Sequence, residues 1–138
     1  MQTFMPIPDL FNSLDLLDYR RQGKQRVEAY QILRTLLGQS NGWKNHPAVR
    51  MWRGYETALV QYGMTCCTVW TKRGYKDSLY AKFLELYNLC PTEAVVPPWF
   101  GDEKFHASHR SNLLRKDPAY YGKFGWSEPD DLPYYWPV

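Results

Sequence analysis

The stretch from Tyr19 to Gly38, YRRQGKQRVEAYQILRTLLG, constrains the fold more than any other part of the chain. Its second half sets Val27, Ala29, Ile32, Leu33, Leu36 and Leu37 at helical spacing, and its first half holds Arg20, Arg21, Lys24 and Arg26 with no acid among them. A helix here needs a partner for its apolar stripe and carries a cationic end into solvent. Glu28 stands at the junction, four residues from Lys24 and seven from Arg21, on the edge of the stripe and beneath the cationic patch. A carboxylate there can act on a polyanion. On these residues alone, a partly exposed ion pair with Lys24 or Arg21 is the simpler reading.

A second periodic stretch supplies the partner. Val49, Trp52, Tyr55, Leu59, Tyr62, Cys66, Val69 and Trp70 predict a helix from about Ala48 to about Arg73, bent at Gly63 and capped by Gly74. Asp9, Asn12 and Ser13 are candidate N-caps for a pattern that begins with Leu14, Leu16 and Leu17, and Gly23 either lies inside one long helix or joins a short one to the main one. Residues 39–47, QSNGWKNHP, read as a loop anchored to the core by Trp43. Asp77 is a cap for a third helix through Leu79, Phe83, Leu86 and Leu89, and CPTEAVVPPWFGD is too proline-rich for regular structure. A last helix from Asp102 to Arg115 turns Phe105, His109, Leu113 and Leu114 inward and Lys104, Arg110, Arg115 and Lys116 outward. Pro6 and Pro8 keep MQTFMPIP extended. From Asp117 onward, Tyr120, Tyr121, Phe124, Trp126, Tyr134, Tyr135 and Trp136 among prolines and glycines form an irregular tail able to bury surface. The expected fold is all-α: a compact single-domain helical bundle over residues 1–138, with an extended N-terminal segment and an irregular aromatic-rich C-terminal tail.

Charge and cysteine usage narrow the partners. The formal net charge of +3 is mild, but the cations concentrate at 19–26 and 104–116, each cluster beside aromatics, which make up 17% of the chain. Lys or Arg for phosphate with Tyr or Trp for stacking is what a nucleic-acid surface requires. Three cysteines, two of them adjacent at Cys66 and Cys67, make no disulfide framework, so a reducing, cytoplasmic setting is expected. No apolar run approaches bilayer length and the N-terminus lacks a signal-peptide pattern, so no membrane is expected.

Other chemistries fare poorly. His106 and His109 form an H-x-x-H pair, yet with His46 and the cysteines they make no ligand set, which favours polar contacts, phosphates included, over zinc. Cys66 and Cys67 lie mid-helix and read as core, and neither glycine-rich phosphate loop occurs. No metal and no cofactor are expected.

Met1-Gln2-Thr3-Phe4 with its prolyl continuation, V-E-A-Y-Q-I-L around Glu28, G-W-K-N-H-P from Gly42 to Pro47, and H-x-x-H-R-S-x-L-L-R-K from His106 to Lys116 together resemble the pyrimidine-dimer DNA glycosylase family of the phage endonuclease V type, in its bacterial branch. The resemblance implies a helical bundle whose N-terminal segment threads between helices until the chain's own α-amino group meets a catalytic glutamate, matched here by Glu28. It implies a phosphate-binding arginine matched by Arg110 and an aromatic tail matched, in composition only, by Tyr134, Tyr135 and Trp136. An α-amine, with an ordinary pKa of about 7.7 to 8.0 against about 10.4 for lysine, is a serviceable nucleophile near neutral pH. Two departures stand out. Gln2 is too large for the usual removal of Met1, so either Met1 keeps its place and supplies the amine or the protein does not use this mechanism, and Val27 precedes Glu28 where the phage members carry arginine.

The reading is a DNA glycosylase with AP-lyase activity on damaged or modified bases of double-stranded DNA, monomeric, with Met1 and Glu28 catalytic. The candidate DNA contacts are Arg20, Arg21, Lys24, Arg26, His46, His106, His109, Arg110, Arg115, Lys116, Tyr134, Tyr135 and Trp136. A non-catalytic DNA-binding module of the same fold, and an enzyme acting on a modified nucleobase or free nucleotide, are the alternatives.

Overall fold

Asp18 decides where the main helix begins. In the computed structural model, which describes residues 1–138, its backbone is extended and its carboxylate accepts the N–H of Arg21 and the Arg21 guanidinium, so the chain turns into α2, Tyr19–Leu36, immediately after it. The preceding helix α1, Leu10–Asp15, is capped by Asp9. The break therefore lies at Leu16–Asp18 and not at Gly23. Gly23 is inside α2 because the Trp70 ring lies against it: a Cβ there would come within 2.7 Å of Trp70 Cζ3.

The predicted second helix is two. Pro47–Arg50 forms a single turn, α3, and after Gly54, whose φ of 89° no other residue takes cheaply, α4 runs from Glu56 to Lys72. α2 and α4 pack face to face, and α4 also receives α1 and α5, Tyr80–Tyr87. Gly63 serves this packing and not a bend, since its missing Cβ lets Phe83 of α5 lie on the α4 backbone. Asp77 does start α5, accepting from the N–H groups of Leu79 and Tyr80. The segment from Cys90 to Gly101 is irregular, as its prolines require. α6, Glu103–Lys116, is capped by Asp102, and α7, Pro118–Tyr121, leads through a 3-10 turn at Gly122–Phe124 into the tail. The protein is all-helical, and none of its helices is long and apolar enough to cross a membrane.

Twenty-four buried apolar residues form one contiguous core, drawn from the N-terminal segment and from every α-helix. Three expectations fail against it. Val27 is half-exposed, because the buried face of α2 is Gln22, Gln25, Glu28, Ala29, Ile32 and Leu33, whose N-terminal half is polar. Trp43 anchors nothing: it is 60% exposed. α6 keeps a solvated face only at its ends: Lys104, Arg115 and Lys116 are exposed as expected, but Arg110, Ser111 and Asn112 are buried along with Phe105 and Leu113. Its second face is covered by the tail, where Ser111 donates to the Pro129 carbonyl, Asn112 to that of Leu132, and Ser108 accepts from Tyr135 N–H.

Candidate active site

The N-terminal segment reaches the centre of the protein without pairing with any strand, so each of its peptide groups needs its own partner. Side chains from three helices supply them. Gln25 of α2 accepts the Phe4 N–H at 2.9 Å, Tyr62 of α4 donates to the Phe4 carbonyl at 3.0 Å, and Trp52 donates to Thr3 Oγ1 at 3.0 Å. Met5 is clasped on both sides by α6: His109 Nδ1 accepts its N–H at 2.9 Å and His106 Nδ1 meets its carbonyl at 2.7 Å. Arg110 donates to the Pro6 carbonyl at 2.8 Å. Residues 2–5 are buried, and the chain end is fixed by more than half a dozen hydrogen bonds rather than left to fray.

That chain end opens into a hollow of about 340 Å³. Met1, Gln2 and Phe4 form one wall, Arg20, Arg21, Lys24, Gln25 and Glu28 of α2 the floor, and Lys116 and Tyr134 the far side. Four cations thus surround one carboxylate. Glu28 is only 8% exposed; its Oε2 accepts the Gln2 N–H at 3.3 Å and Gln25 Nε2 at 3.4 Å, and its Oε1 lies 3.7 Å from Lys24 Nζ. Lys24 itself is largely exposed, so this pair is a loose one, readily exchanged for another anion. Burial, then the neighbouring Arg21, Arg115 and Lys24 cations, hold the Lys116 ammonium below the usual lysine range. Burial pushes the Tyr134 phenol up to about 12, so it faces the hollow as a neutral hydrogen-bonding ring. His46 caps α3, its Nδ1 accepting the Ala48 N–H at 3.0 Å. Its own ionisation is held down first by burial and then by the chain's α-amino charge, with Glu28 opposing.

The direct bond to Glu28 therefore comes from the Gln2 nitrogen. The Met1 amine, expected against the carboxylate, makes no ion pair with it within 4.0 Å and stands one residue further out, at the mouth of the same hollow.

Of the thirteen expected DNA contacts, five line this hollow: Arg20, Arg21, Lys24, Lys116 and Tyr134. Others are held elsewhere. Arg26 pairs with Asp77 and lies 4.7 Å over the Trp70 ring. His106 and His109 are fully buried, His109 held neutral by burial with its pKa pushed down to about 3, and both hold the N-terminal segment. Arg110, expected on the outer face of α6, is enclosed by Glu128, Glu103 and the Pro6 carbonyl, and so acts as the knot between N-terminus, α6 and tail rather than as a free phosphate grip. Arg115 is engaged by Asn112 and the Asp130 carbonyl. Tyr135 is partly exposed, and Trp136 meets His46 edge-on at 5.6 Å.

Gln25, which aligns the chain end, was not singled out from sequence, and Gln2 and Tyr62 were read there only as a bar to methionine removal and as part of an apolar helix face. The signal was present in α2, where Gln22, Gln25 and Glu28 continue the spacing of Ala29, Ile32 and Leu33; a polar residue on a core-facing period is one that has a buried partner to meet.

The protein is thus all-helical and buries its own N-terminal segment beside a carboxylate, under a rim of cations. The sequence model of the pyrimidine dimer DNA glycosylases matches residues 1–82, more than half of the chain, and the protein is a member of that family, whose substrate is DNA. The matched span includes the N-terminal segment, α2 with Glu28, and the Gly42–Pro47 loop. No match was found among curated proteins, and none among solved structures.

Proposed function

We propose that the protein is a DNA glycosylase with AP-lyase activity on damaged bases of the pyrimidine-dimer type, acting as a monomer without a cofactor, with the Met1 α-amine as nucleophile and Glu28 as its carboxylate. The observation that supports this most is the Glu28 Oε2 to Gln2 N–H bond at 3.3 Å, inside a hollow rimmed by Arg20, Arg21, Lys24 and Lys116. The cations hold phosphates on either side of the reacting nucleotide. The amine nitrogen attacks C1′ of the sugar, the C1′–N bond breaks, and the base leaves with the bonding pair and takes up a proton. Loss of an amine proton and opening of the C1′–O4′ bond give an iminium ion, whose positive charge Glu28 stabilises. Removal of a C2′ proton then expels the 3′ phosphate by β-elimination, and water releases the protein from the imine.

The same bond also supports a second reading. Because the Gln2 nitrogen is the atom beside the carboxylate, a chain that begins at Gln2 brings its amine directly against Glu28.

Glu28→Gln tests the role of the charge. It keeps the acceptor for Gln2 N–H and removes the negative charge, so binding to an abasic-site duplex should hold while cleavage falls by roughly a hundredfold to a thousandfold. Unchanged cleavage refutes the assignment of Glu28.

A further inference from the structure

Gln2 carries an arrangement that the proposed glycosylase chemistry does not use. Its side chain folds back onto its own backbone, where the carboxamide Oε1 accepts the Thr3 N–H at 2.8 Å. The other end of the carboxamide, Nε2, is buried without a hydrogen-bond partner, in a residue only 4% exposed. A buried donor left unpaired is costly, so the fold gains nothing from that nitrogen. The backbone nitrogen of the same residue lies 3.3 Å from Glu28 Oε2, at the edge of the hollow that Gln2 lines.

One residue thus has a nitrogen beside a base, a carbonyl polarised by a backbone donor, and an amide nitrogen that nothing holds. Met1 alone disarms the set. With Met1 in place the Gln2 nitrogen belongs to a peptide bond and has no basic lone pair. Without Met1 it is a primary amine, and its attack on the Gln2 carboxamide carbon closes an unstrained five-membered ring. We propose that Gln2 is a self-modification site that Met1 keeps shut: a chain that loses Met1 cyclises Gln2 to pyroglutamate with Glu28 as the base, and so loses its amine. The α-nitrogen attacks Cδ, and the N–Cδ bond forms as Glu28 takes a proton from that nitrogen. The Thr3 N–H meets the negative charge that develops on Oε1. The Cδ–Nε2 bond then breaks, and Nε2 leaves with the bonding pair and takes the proton from Glu28 as ammonia. Nothing is oxidised or reduced and no co-reactant is consumed. The lactam nitrogen that remains is an amide and forms no imine. This rests on the reading of the chain's first amine as the nucleophile and deepens it: Met1 keeps the nucleophile alive, and a chain that begins at Gln2 is active only until its ring closes.

The test frees the full chain at Gln2 by proteolytic removal of an N-terminal fusion partner and follows it by intact mass from the moment of cleavage. Loss of one ammonia, mapped to the first residue, reads the ring closure. Folded protein should lose it roughly tenfold to a hundredfold faster than the same chain unfolded in urea. Glu28→Gln, shown to be folded by its melting temperature, should fall back to about the unfolded rate. The chain that begins at Met1 should lose none at its first residue. Equal rates in the folded and unfolded chains, or a wild-type rate in folded Glu28→Gln, overturn the proposal. Borohydride trapping on abasic DNA, read on the same samples, separates this result from the DNA chemistry. Trapping by the Gln2-first chain that fades in step with ammonia loss supports both. Ring closure with no trapping by the Met1-first chain or by the freshly cut chain overturns the amine reading alone. Lasting trapping by the Gln2-first chain without ammonia loss overturns the cyclisation alone.

Discussion

Arg110→Ala and Lys24→Ala separate a structural cation from a phosphate contact. Arg110 is enclosed, with its side chain 9% exposed, and its principal partner Glu128 is 15% exposed. Its other carboxylate, Glu103, is 72% exposed and adds little. Truncation leaves Glu128 partly buried without a counter-charge and the Pro6 carbonyl without its donor, a loss of about 3–5 kcal/mol by analogy with broken buried pairs. For 138 residues the unfolding entropy is about 0.3 kcal/mol per kelvin, so the melting temperature should drop by about 10–17 °C. Lys24 is 68% exposed, and its loss should cost less than about 1 kcal/mol. In DNA binding the order reverses. Lys24→Ala should flatten the plot of log affinity against log salt by about one unit, the share of one phosphate, whereas folded Arg110→Ala should keep the wild-type slope. Thermal melting and fluorescence anisotropy across a salt series read both quantities. An Arg110→Ala protein that melts like wild type and loses a unit of salt slope refutes the assignment of Arg110 as a knot.

Acid should loosen the N-terminal segment before it unfolds an ordinary protein: His109 has its folded-state pKa pushed down to about 3, so stability is full above the unfolded value of about 6.5 and is lost progressively as pH falls towards 3, by about 2 kcal/mol at pH 5. His109→Asn keeps an acceptor for Met5 N–H and removes the titration, so its melting temperature should vary less between pH 7 and pH 5; equal acid sensitivity refutes this. Gly63→Ala puts a Cβ 2.3 Å from two Phe83 ring atoms and should cost about 1–3 kcal/mol by denaturant titration. Adding Phe83→Leu should recover part of that cost, and additive losses in the double variant contradict direct overlap.

How far the chain could be read in advance follows from where its constraints lie. α2 was legible because its basic end, its apolar stripe and its carboxylate are all within eighteen residues. The break ahead of it was misplaced because glycine is the visible interruption, while Asp18 acts through a cap and through Tyr121, whose hydroxyl accepts the Asp18 N–H from 103 positions away. α6 was read as amphipathic because its covers come from outside its own periodicity: the N-terminal segment reaches His109 across 104 positions, and the tail folds back onto Ser108, Ser111 and Asn112. The same separation hid the fate of Arg110 and the two histidines. A charged residue in a helical pattern reads as solvated unless its partners are near in sequence, and here they are not. Trp43 was misread for the opposite reason, since tryptophan in a turn is ordinarily an anchor and its positive φ has no sequence signature.

The central claim is that the chain's own α-amine carries the chemistry, and borohydride reduction on abasic DNA tests it most directly. Wild-type protein should become covalently attached to the duplex, and mass analysis should find the adduct on the first residue of the chain. Acetylation of the N-terminus removes the nucleophilic lone pair, and one extra residue moves the amine away from the hollow, while the contacts of Phe4, Met5 and Pro6 that hold the segment are unchanged. Both forms should melt within a few degrees of wild type and give no adduct. Full trapping by the acetylated and the extended proteins, or an adduct on a lysine side chain, contradicts the account.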